Sequence, residues 1–180
     1  SLLHLTAHHE HDGFHAEQTT PLTPQVNLLN PTQFLKPQLA GDVDGNGMTD
    51  LITFDAGTNP GTWSVALGRG INFSPSTLWL SGFGGSSSTP LLGDWNADGR
   101  TDIGIYNGGS WQFATSTASS FQTGAVSPLS FGSGMPLTGD FNGDGIIDIG
   151  TYNNGSWQVA LGTGSSFSPA GSFSRLLGSS

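Results

Sequence analysis

Residues 139–153 read GDFNGDGIIDIGTYN, and this stretch decides the fold because the chain contains it three times. The other copies are GDVDGNGMTDLITFD at 41–55 and GDWNADGRTDIGIYN at 93–107, and the three align without gaps. Each copy is followed by a tryptophan segment: GTWSVALG at 61–68, GSWQFATS at 109–116 and GSWQVALG at 155–162. A unit that recurs about every 50 residues indicates a repeat protein in which each copy is one supersecondary unit.

The residues inside each repeat predict short β-strands. After each acidic loop, apolar residues alternate with small or polar ones, as in DIGIYN at 102–107, which is the two-residue period of a strand. Asn-Gly and Gly-Gly pairs at 107–109 and 154–155 are typical of hairpin turns. Another apolar segment, such as PLLGD at 90–94, leads into each loop. Each repeat therefore holds about four short strands, and the sequence predicts an all-β protein.

The tryptophans allow two interpretations. Trp63, Trp111 and Trp157 recur at one position of the repeat, where they are either sugar-stacking platforms or core residues. The apolar residues that alternate beside each of them favour the core. Trp79 and Trp95 have no tryptophan counterpart in the other repeats, so these two are predicted to be exposed platforms on which a ligand stacks.

The composition excludes several classes of function. The chain has 180 residues, no cysteine and a formal net charge of −9, which repels nucleic acids and anionic membranes. No apolar run approaches the ~20 residues that cross a bilayer, so we expect neither nucleic-acid binding nor membrane insertion. Because the chain starts at Ser1 without a methionine or a signal peptide, it is expected to be a processed or excised piece.

The acidic loop of each repeat predicts a calcium site. Oxygen-bearing side chains occupy positions 1, 3, 5 and 9 of the loop, glycine occupies position 6, and position 7 offers its main-chain carbonyl. Alternate side chains on so tight a loop converge on one point, and hard oxygen donors suit calcium. The predicted ligands are Asp42, Asp44, Asn46, Met48 and Asp50, then Asp94, Asn96, Asp98, Arg100 and Asp102, then Asp140, Asn142, Asp144, Ile146 and Asp148.

The distribution of charge supports a metal in these loops. Nine of the thirteen acidic residues are loop ligands, three in each loop, and they repel one another without a cation. Three Ca²⁺ ions would change the net charge from −9 to −3, and their binding is expected to contribute to folding. The alternative is a solvated Asp/Asn/Gly turn, which the threefold recurrence disfavours. An EF-hand is excluded because position 12 is Thr53, Ile105 or Thr151 instead of glutamate.

Gly-Asp-x-Asn-Gly-Asp-Gly-x-x-Asp, followed by a strand and a tryptophan hairpin, resembles the FG-GAP/VCBS repeat over about residues 34–178. That family builds the blades of the integrin α-chain propeller and of many secreted proteins. The resemblance implies three four-stranded blades at 34–85, 86–131 and 132–180, one calcium ion in each, and an extracellular, secreted or cell-surface location. Arg100 places a cation beside the second loop, so that site is expected to bind calcium more weakly.

Three blades do not close a ring, because β-propellers contain about four to eight. We therefore expect an open, partial propeller or blade array whose exposed apolar faces are completed by neighbours. The neighbours are either further repeats of a longer chain or other copies of this chain. Head-to-tail contact between copies would form a ring or a filament of a homo-oligomer.

Residues 1–33 differ in composition and are predicted to be an N-terminal arm or linker, rich first in histidine and then in proline and threonine. His8, His9, His11 and His15 are candidates for a second metal site, since imidazole binds zinc, copper and nickel. The alternative interpretation is a flexible leader. The arm could also add a strand to the open edge of a neighbouring subunit.

The sequence does not predict an enzyme. It contains no Gly-x-Ser-x-Gly, P-loop or His-Glu-x-x-His motif, and the aspartates of its repeats are assigned to metal loops. The predicted function is that of a calcium-binding extracellular structural or cell-adhesion module, which self-assembles or docks to neighbouring blades. The alternatives are a carbohydrate-binding, lectin-like propeller fragment and a non-catalytic module of a larger secreted enzyme or toxin.

Overall fold

The computed structural model describes residues 38–57 and 59–174, and within these ranges the chain forms thirteen strands and no helix. The predicted arm at 1–33, with its histidine site, lies outside the described residues. The strands are β1 Gln38–Gly41, β2 Asp50–Asp55, β3 Thr62–Ala66, β4 Thr77–Leu80, β5 Thr89–Gly93, β6 Asp102–Asn107, β7 Ser110–Ser116, β8 Phe121–Thr123, β9 Leu129–Ser130, β10 Met135–Gly139, β11 Asp148–Asn153, β12 Ser156–Gly162 and β13 Phe167–Ser174.

The strands form three antiparallel sheets, and apart from β9 each strand pairs with its neighbours in sequence within its sheet. Blade 1 is β1-β2-β3-β4, blade 2 is β5-β6-β7-β8 with β9 also paired to β7, and blade 3 is β10-β11-β12-β13. The all-β fold with three antiparallel blades is thus confirmed, and blades 1 and 3 have the expected four strands whereas blade 2 has a fifth, β9. None of the residues that the structure describes belongs to a helix able to cross a membrane.

The hairpins of blades 2 and 3 use the turn residues that the sequence predicts. Gly108 and Gly109 have φ angles of 56° and 105°, and Asn154 and Gly155 have 48° and 87°. Positive φ at both central residues is the property of a type I′ turn, whose twist matches that of the two strands it joins. These turns join the two central strands of each sheet, β6 to β7 and β11 to β12, at the end opposite to the acidic loop.

The core consists of two clusters of buried side chains, one on each side of blade 2. The first cluster joins blades 1 and 2 and includes Val43, Ile52, Phe54, Trp63, Val65, Trp79, Phe83, Ile103, Ile105, Ala114 and Phe121. The second joins blades 2 and 3 and includes Trp95, Tyr106, Trp111, Phe113, Val126, Ile149, Ala160 and Phe167. Alternate residues of one strand enter different clusters, so each blade of the array buries one face against each neighbour.

The repeated tryptophans belong to this core. Trp63 and Trp111 are completely buried, and each indole Nε1–H donates a 2.9 Å hydrogen bond to a main-chain carbonyl, that of Phe83 or Phe131. Trp157, on the last blade, is only partly buried. The core interpretation is therefore confirmed for the two tryptophans that have a blade on the side they face.

The prediction that Trp79 and Trp95 are exposed stacking platforms is wrong. Trp79 is 7% exposed and its ring centroid lies 5.1 Å from that of Phe121. Trp95 is 1% exposed and lies 5.2 Å from Phe113 and 6.3 Å from Phe167. Both rings fill the interfaces between blades, and because the two interfaces differ in shape, the filling residue need not repeat.

Candidate metal sites

The three acidic loops join the first and second strands of their blades, so the fold presents all three at equivalent places. The aspartate at position 1 organises each loop by accepting hydrogen bonds from the main chain that curls around it. Asp42 accepts from the N–H groups of Gly45, at 2.8 Å, and Gly47, at 2.7 Å. Asp94 and Asp140 accept the same bond from their position-6 glycines, at 2.8 and 2.9 Å. The first carboxylate thus holds the loop in the shape that a metal site needs.

Glycine at position 6 permits the reversal of the chain, as the sequence predicts. Gly47, Gly99 and Gly145 have φ angles of 83°, 84° and 86°. This left-handed region is strained for residues that carry a Cβ atom. The equivalence of the three angles means that the three loops share one backbone conformation at this point.

Positions 3 and 5 are paired by a side-chain hydrogen bond in every loop. The bonds join Asn46 Nδ2 to Asp44 Oδ2 at 2.9 Å, Asn96 Nδ2 to Asp98 Oδ2 at 2.9 Å, and Asn142 Nδ2 to Asp144 Oδ2 at 2.8 Å. Each loop thus has one aspartate and one asparagine at these positions, in reversed order in the first loop. The pairing leaves each loop with three carboxylates, whichever position carries the amide.

The aspartate at position 9 has a second role that the sequence pattern does not reveal. Asp50, Asp102 and Asp148 are completely buried, although they were predicted only as metal ligands. In blade 2, Asp102 accepts from the N–H of Trp95 at 3.0 Å and from the N–H of Ser116 at 2.7 Å. The other two aspartates accept the equivalent pair of bonds, at 2.7 to 2.8 Å. This carboxylate therefore ties the acidic loop to the end of the third strand.

Burial raises the pKa of Asp102 to about 7, and the negative charges of Asp98 and Asp94 act in the same direction. The hydrogen bonds from Ser116 and Trp95 oppose the increase, because N–H donors favour the ionised carboxylate. A cation in the second loop would also favour the ionised form. The second loop is thus a place where positive charge would be stabilising.

Asp140 in the third loop behaves in the opposite way. The N–H group of Gly145 lowers the pKa of this carboxyl, and the N–H groups of Gly143, Asp144 and Asn142 add to the effect against a smaller desolvation. The position-1 carboxylate of this loop is therefore ionised at neutral pH and available to a cation.

The carboxylates of the first loop fit a calcium ion. Asp42, Asp44 and Asp50 each offer a carboxylate oxygen, and these oxygens all lie within 4.8 Å of one another. Calcium binds oxygen at about 2.3–2.6 Å, so two ligands of one ion lie at most about 5 Å apart. In the other loops position 3 is asparagine and position 5 is aspartate, so the third carboxylate lies at position 5 and an amide oxygen occupies position 3. The donor set is entirely oxygen, which favours calcium over zinc or copper.

Arginines lie beside two of the loops. Arg100 Nη2 is 2.5 Å from Asp98 Oδ2, and its Nε donates to the carbonyl of Ser116 at 3.2 Å. Arg69 Nη1 is 3.7 Å from Asp44 Oδ2 and is about half exposed. Within the described part of the chain, the third loop has no arginine ion pair. The guanidinium of Arg100 therefore lies beside the loop for which the sequence predicts weaker calcium binding.

Replacement of Arg100 by glutamine is expected to tighten calcium binding to the second loop. Removing one partly exposed cation from beside Asp98 should lower the calcium Kd of that loop about two- to fivefold, the scale of a surface ion pair. Calorimetric calcium titration of Arg100→Gln would measure this change, with Arg69→Gln as a control because its ion pair is longer. Unchanged or weaker binding by Arg100→Gln would contradict the competition.

Comparison with known families identifies the repeat. Residues 42–105, which contain the first two acidic loops, match the model of a family described as FG-GAP-like repeat. The resemblance seen in the sequence is confirmed for this range. Comparison with curated proteins finds no sequence that matches.

Comparison with solved structures finds a similar fold in a lectin from Agrocybe aegerita, whose structure concerns specific recognition of non-reducing terminal N-acetylglucosamine. The TM-score is 0.57 and the sequence identity is 19%, and the match covers 72% of this chain and 36% of the lectin. At this identity the likeness concerns the fold alone. The chain spans little more than a third of the lectin's length.

Proposed function

We propose that this chain, which contains FG-GAP-like repeats, is a calcium-stabilised propeller module with a structural or adhesive role outside the cell. The observation that carries the proposal is the first loop, where oxygens of Asp42, Asp44 and Asp50 lie within 4.8 Å of one another. The other two loops repeat its hydrogen bonds at positions 1, 5 and 9. The proposed role is structural and not catalytic.

Calcium would act through the buried position-9 aspartates. Each of these carboxylates contacts both the loop and the end of the third strand, so an ion held by the loop is coupled to the sheet. When bound, the ion supplies positive charge to three mutually repelling carboxylates. The protein residues supply the oxygens and the preformed turn. Binding free energy therefore becomes stability of the blade.

The proposed extracellular location follows from the same chemistry. Loops of this kind outside the cell bind calcium at about 10⁻⁴–10⁻³ M, a range that extracellular calcium saturates. The resemblance to FG-GAP repeats, which are typical of secreted and cell-surface proteins, supports the same location.

Thermal unfolding in millimolar calcium and in excess chelator tests the proposal. We expect the melting temperature to rise by several degrees in calcium, because the folded state binds the ion and the unfolded chain does not. Magnesium at the same concentration is the matched control, and it should raise the melting temperature less because it demands stricter octahedral geometry. Equal melting temperatures in calcium and chelator would overturn the proposal.

A second candidate function is carbohydrate binding at clefts that blade 2 forms with the connecting segments before and after it. Two adjacent clefts, of about 440 and 390 Å³, share Ser110 and Gln112 in their walls. Their volumes are within the range of small-molecule sites, and the fold is similar to that of a lectin. Glycan-array binding that is lost in Gln112→Ala, whose side chain is exposed, would support this function. Absence of binding to every glycan would leave the structural role alone.

A further inference from the structure

The two end blades present faces whose residues are buried wherever a neighbouring blade exists. On blade 1, Leu51 is 43% exposed and Phe73 is 50% exposed. Their equivalents in the later repeats are Ile103 and Ile149 for Leu51, and Phe121 and Phe167 for Phe73, all at most 8% exposed. The free face of blade 1 therefore has the residues that blades 2 and 3 use to pack against the blade before them.

The free face of blade 3 is the complementary half of such an interface. Phe141 is 46% exposed and Tyr152 is 37% exposed, whereas their equivalents in blade 2, Trp95 and Tyr106, are 1% and 3% exposed. The face is already arranged for packing: the rings of Tyr152 and Trp157 lie 4.6 Å apart, against 4.7 Å for the buried pair Tyr106 and Trp111. Only the covering blade differs between the two cases.

One pair of equivalent positions occurs at both interfaces, and its second member lies beside a glycine in each. Between blades 1 and 2 the pair is Phe54 and Ile105, and a Cβ atom added at Gly84 would lie 3.0 Å from Phe54 Cζ and 3.3 Å from Ile105 Cγ2. Between blades 2 and 3 the same positions hold Tyr106 and Thr151. The interface between blades 2 and 3 thus has a tyrosine and a threonine at these positions, whereas the interface between blades 1 and 2 has a phenylalanine and an isoleucine.

The polar pair distinguishes one interface from the other. The hydroxyls of Tyr106 and Thr151 are both buried, and neither has a hydrogen-bond partner among the described residues. The two hydroxyls do not hydrogen-bond each other directly, so a shared buried water is the partner that would satisfy both. Either hydroxyl opposite an apolar side chain would lose this shared partner. The two positions are therefore expected to be matched in polarity.

The free faces match each other by this criterion. Blade 3 presents Tyr152 at the tyrosine position, and blade 1 presents Thr53 at the threonine position. We propose that the free face of blade 3 binds the free face of blade 1 of a second copy of this chain, head to tail, with Tyr152 against Thr53 and Phe141 beside Leu51 and Phe73. The contact continues the interface already seen between blades 2 and 3. The inference rests on the proposed structural role, because it names the partner that completes the blades.

Such a contact is heterologous, so each copy keeps one free face until a ring closes or a filament grows. It also covers the large apolar side chains that a free monomer would expose.

Light scattering of the 180-residue chain in calcium should therefore give masses at multiples of 18.6 kDa that increase with concentration. Tyr152→Arg should lose these larger species and remain folded by circular dichroism, because the residue is exposed in one copy. Gln122→Arg, an exposed position away from both faces, is the matched control.

A cross-linking experiment tests the direction of the contact. The chain has no cysteine, so Thr53→Cys and Tyr152→Cys proteins can be mixed and oxidised without interference. We expect the mixed disulfide to form in large excess over either symmetric one. A preference for the symmetric disulfides would overturn the head-to-tail arrangement. If calcium stabilises the chain but the chain stays monomeric at every concentration, the proposed contact between copies is wrong and the calcium proposal stands. If the chain forms oligomers whose stability does not depend on calcium, the calcium proposal is wrong and the contact between copies stands.

Discussion

Replacement of Asp102 by alanine is expected to destabilise the folded chain by about 2–4 kcal/mol, even when calcium has been removed by a chelator. The completely buried carboxylate of Asp102 accepts hydrogen bonds from the N–H groups of Trp95 and Ser116. Alanine would leave both donors unsatisfied, at about 1–3 kcal/mol each, offset by the desolvation cost of a carboxylate whose pKa burial raises to about 7. Urea unfolding in chelator measures the difference.

Two control variants separate this role from metal binding. Asp98→Ala removes an exposed carboxylate of the same loop, so it should weaken calcium binding and change stability little in chelator. Asp102→Asn keeps the shape of the side chain but presents an N–H donor to one of the two main-chain N–H groups. Its free energy of unfolding should therefore lie between those of the wild type and Asp102→Ala. Equal stability of Asp102→Ala and Asp98→Ala in chelator would mean that Asp102 is a ligand and no more.

Replacement of Trp111 by alanine is expected to lower the free energy of unfolding by about 3–5 kcal/mol, the range for deleting a large aromatic side chain from a core. The indole is completely buried, packs 4.7 Å from the ring of Tyr106, and donates to the carbonyl of Phe131. Its loss would leave a cavity between blades 2 and 3 and an unsatisfied carbonyl. Urea unfolding in saturating calcium is the measurement.

The repeat provides a matched control for Trp111. Trp157 occupies the same position in blade 3, where no further blade within residues 38–57 and 59–174 covers it and the side chain is only partly buried. At low protein concentration, Trp157→Ala should therefore lower the free energy of unfolding clearly less than Trp111→Ala does. Equal costs would show that the stabilisation comes from within the blade and not from the interface between blades.

The periodic features of the fold were predictable from the sequence because each is a local rule repeated three times. Alternating residues such as those of DIGIYN at 102–107, and the Asn-Gly and Gly-Gly turns, specify hairpins without reference to the rest of the chain. Glycine at position 6 likewise predicts the left-handed φ seen at Gly99. Local backbone chemistry is thus sufficient for the strands and for the shape of the loops.

Features that depend on contact between blades were not predictable in the same way. Trp95 occupies a position that holds Val43 and Phe141 in the other loops, and only the packing between blades 2 and 3 determines that it is buried. The second role of Asp102 depends on Ser116, which is fourteen residues away in sequence and meets it only after the hairpin forms. Both relations are tertiary, so the spacing of residues does not reveal them.

Equilibrium dialysis counts the calcium ions that each chain binds and so tests the proposal that each acidic loop holds one ion. Three variants each remove the first aspartate ligand of one loop: Asp42→Ala, Asp94→Ala and Asp140→Ala. We expect three ions per wild-type chain and two for each variant, with the folded structure retained in saturating calcium. A wild-type chain that binds no calcium, or a count that stays the same in all three variants, would contradict it.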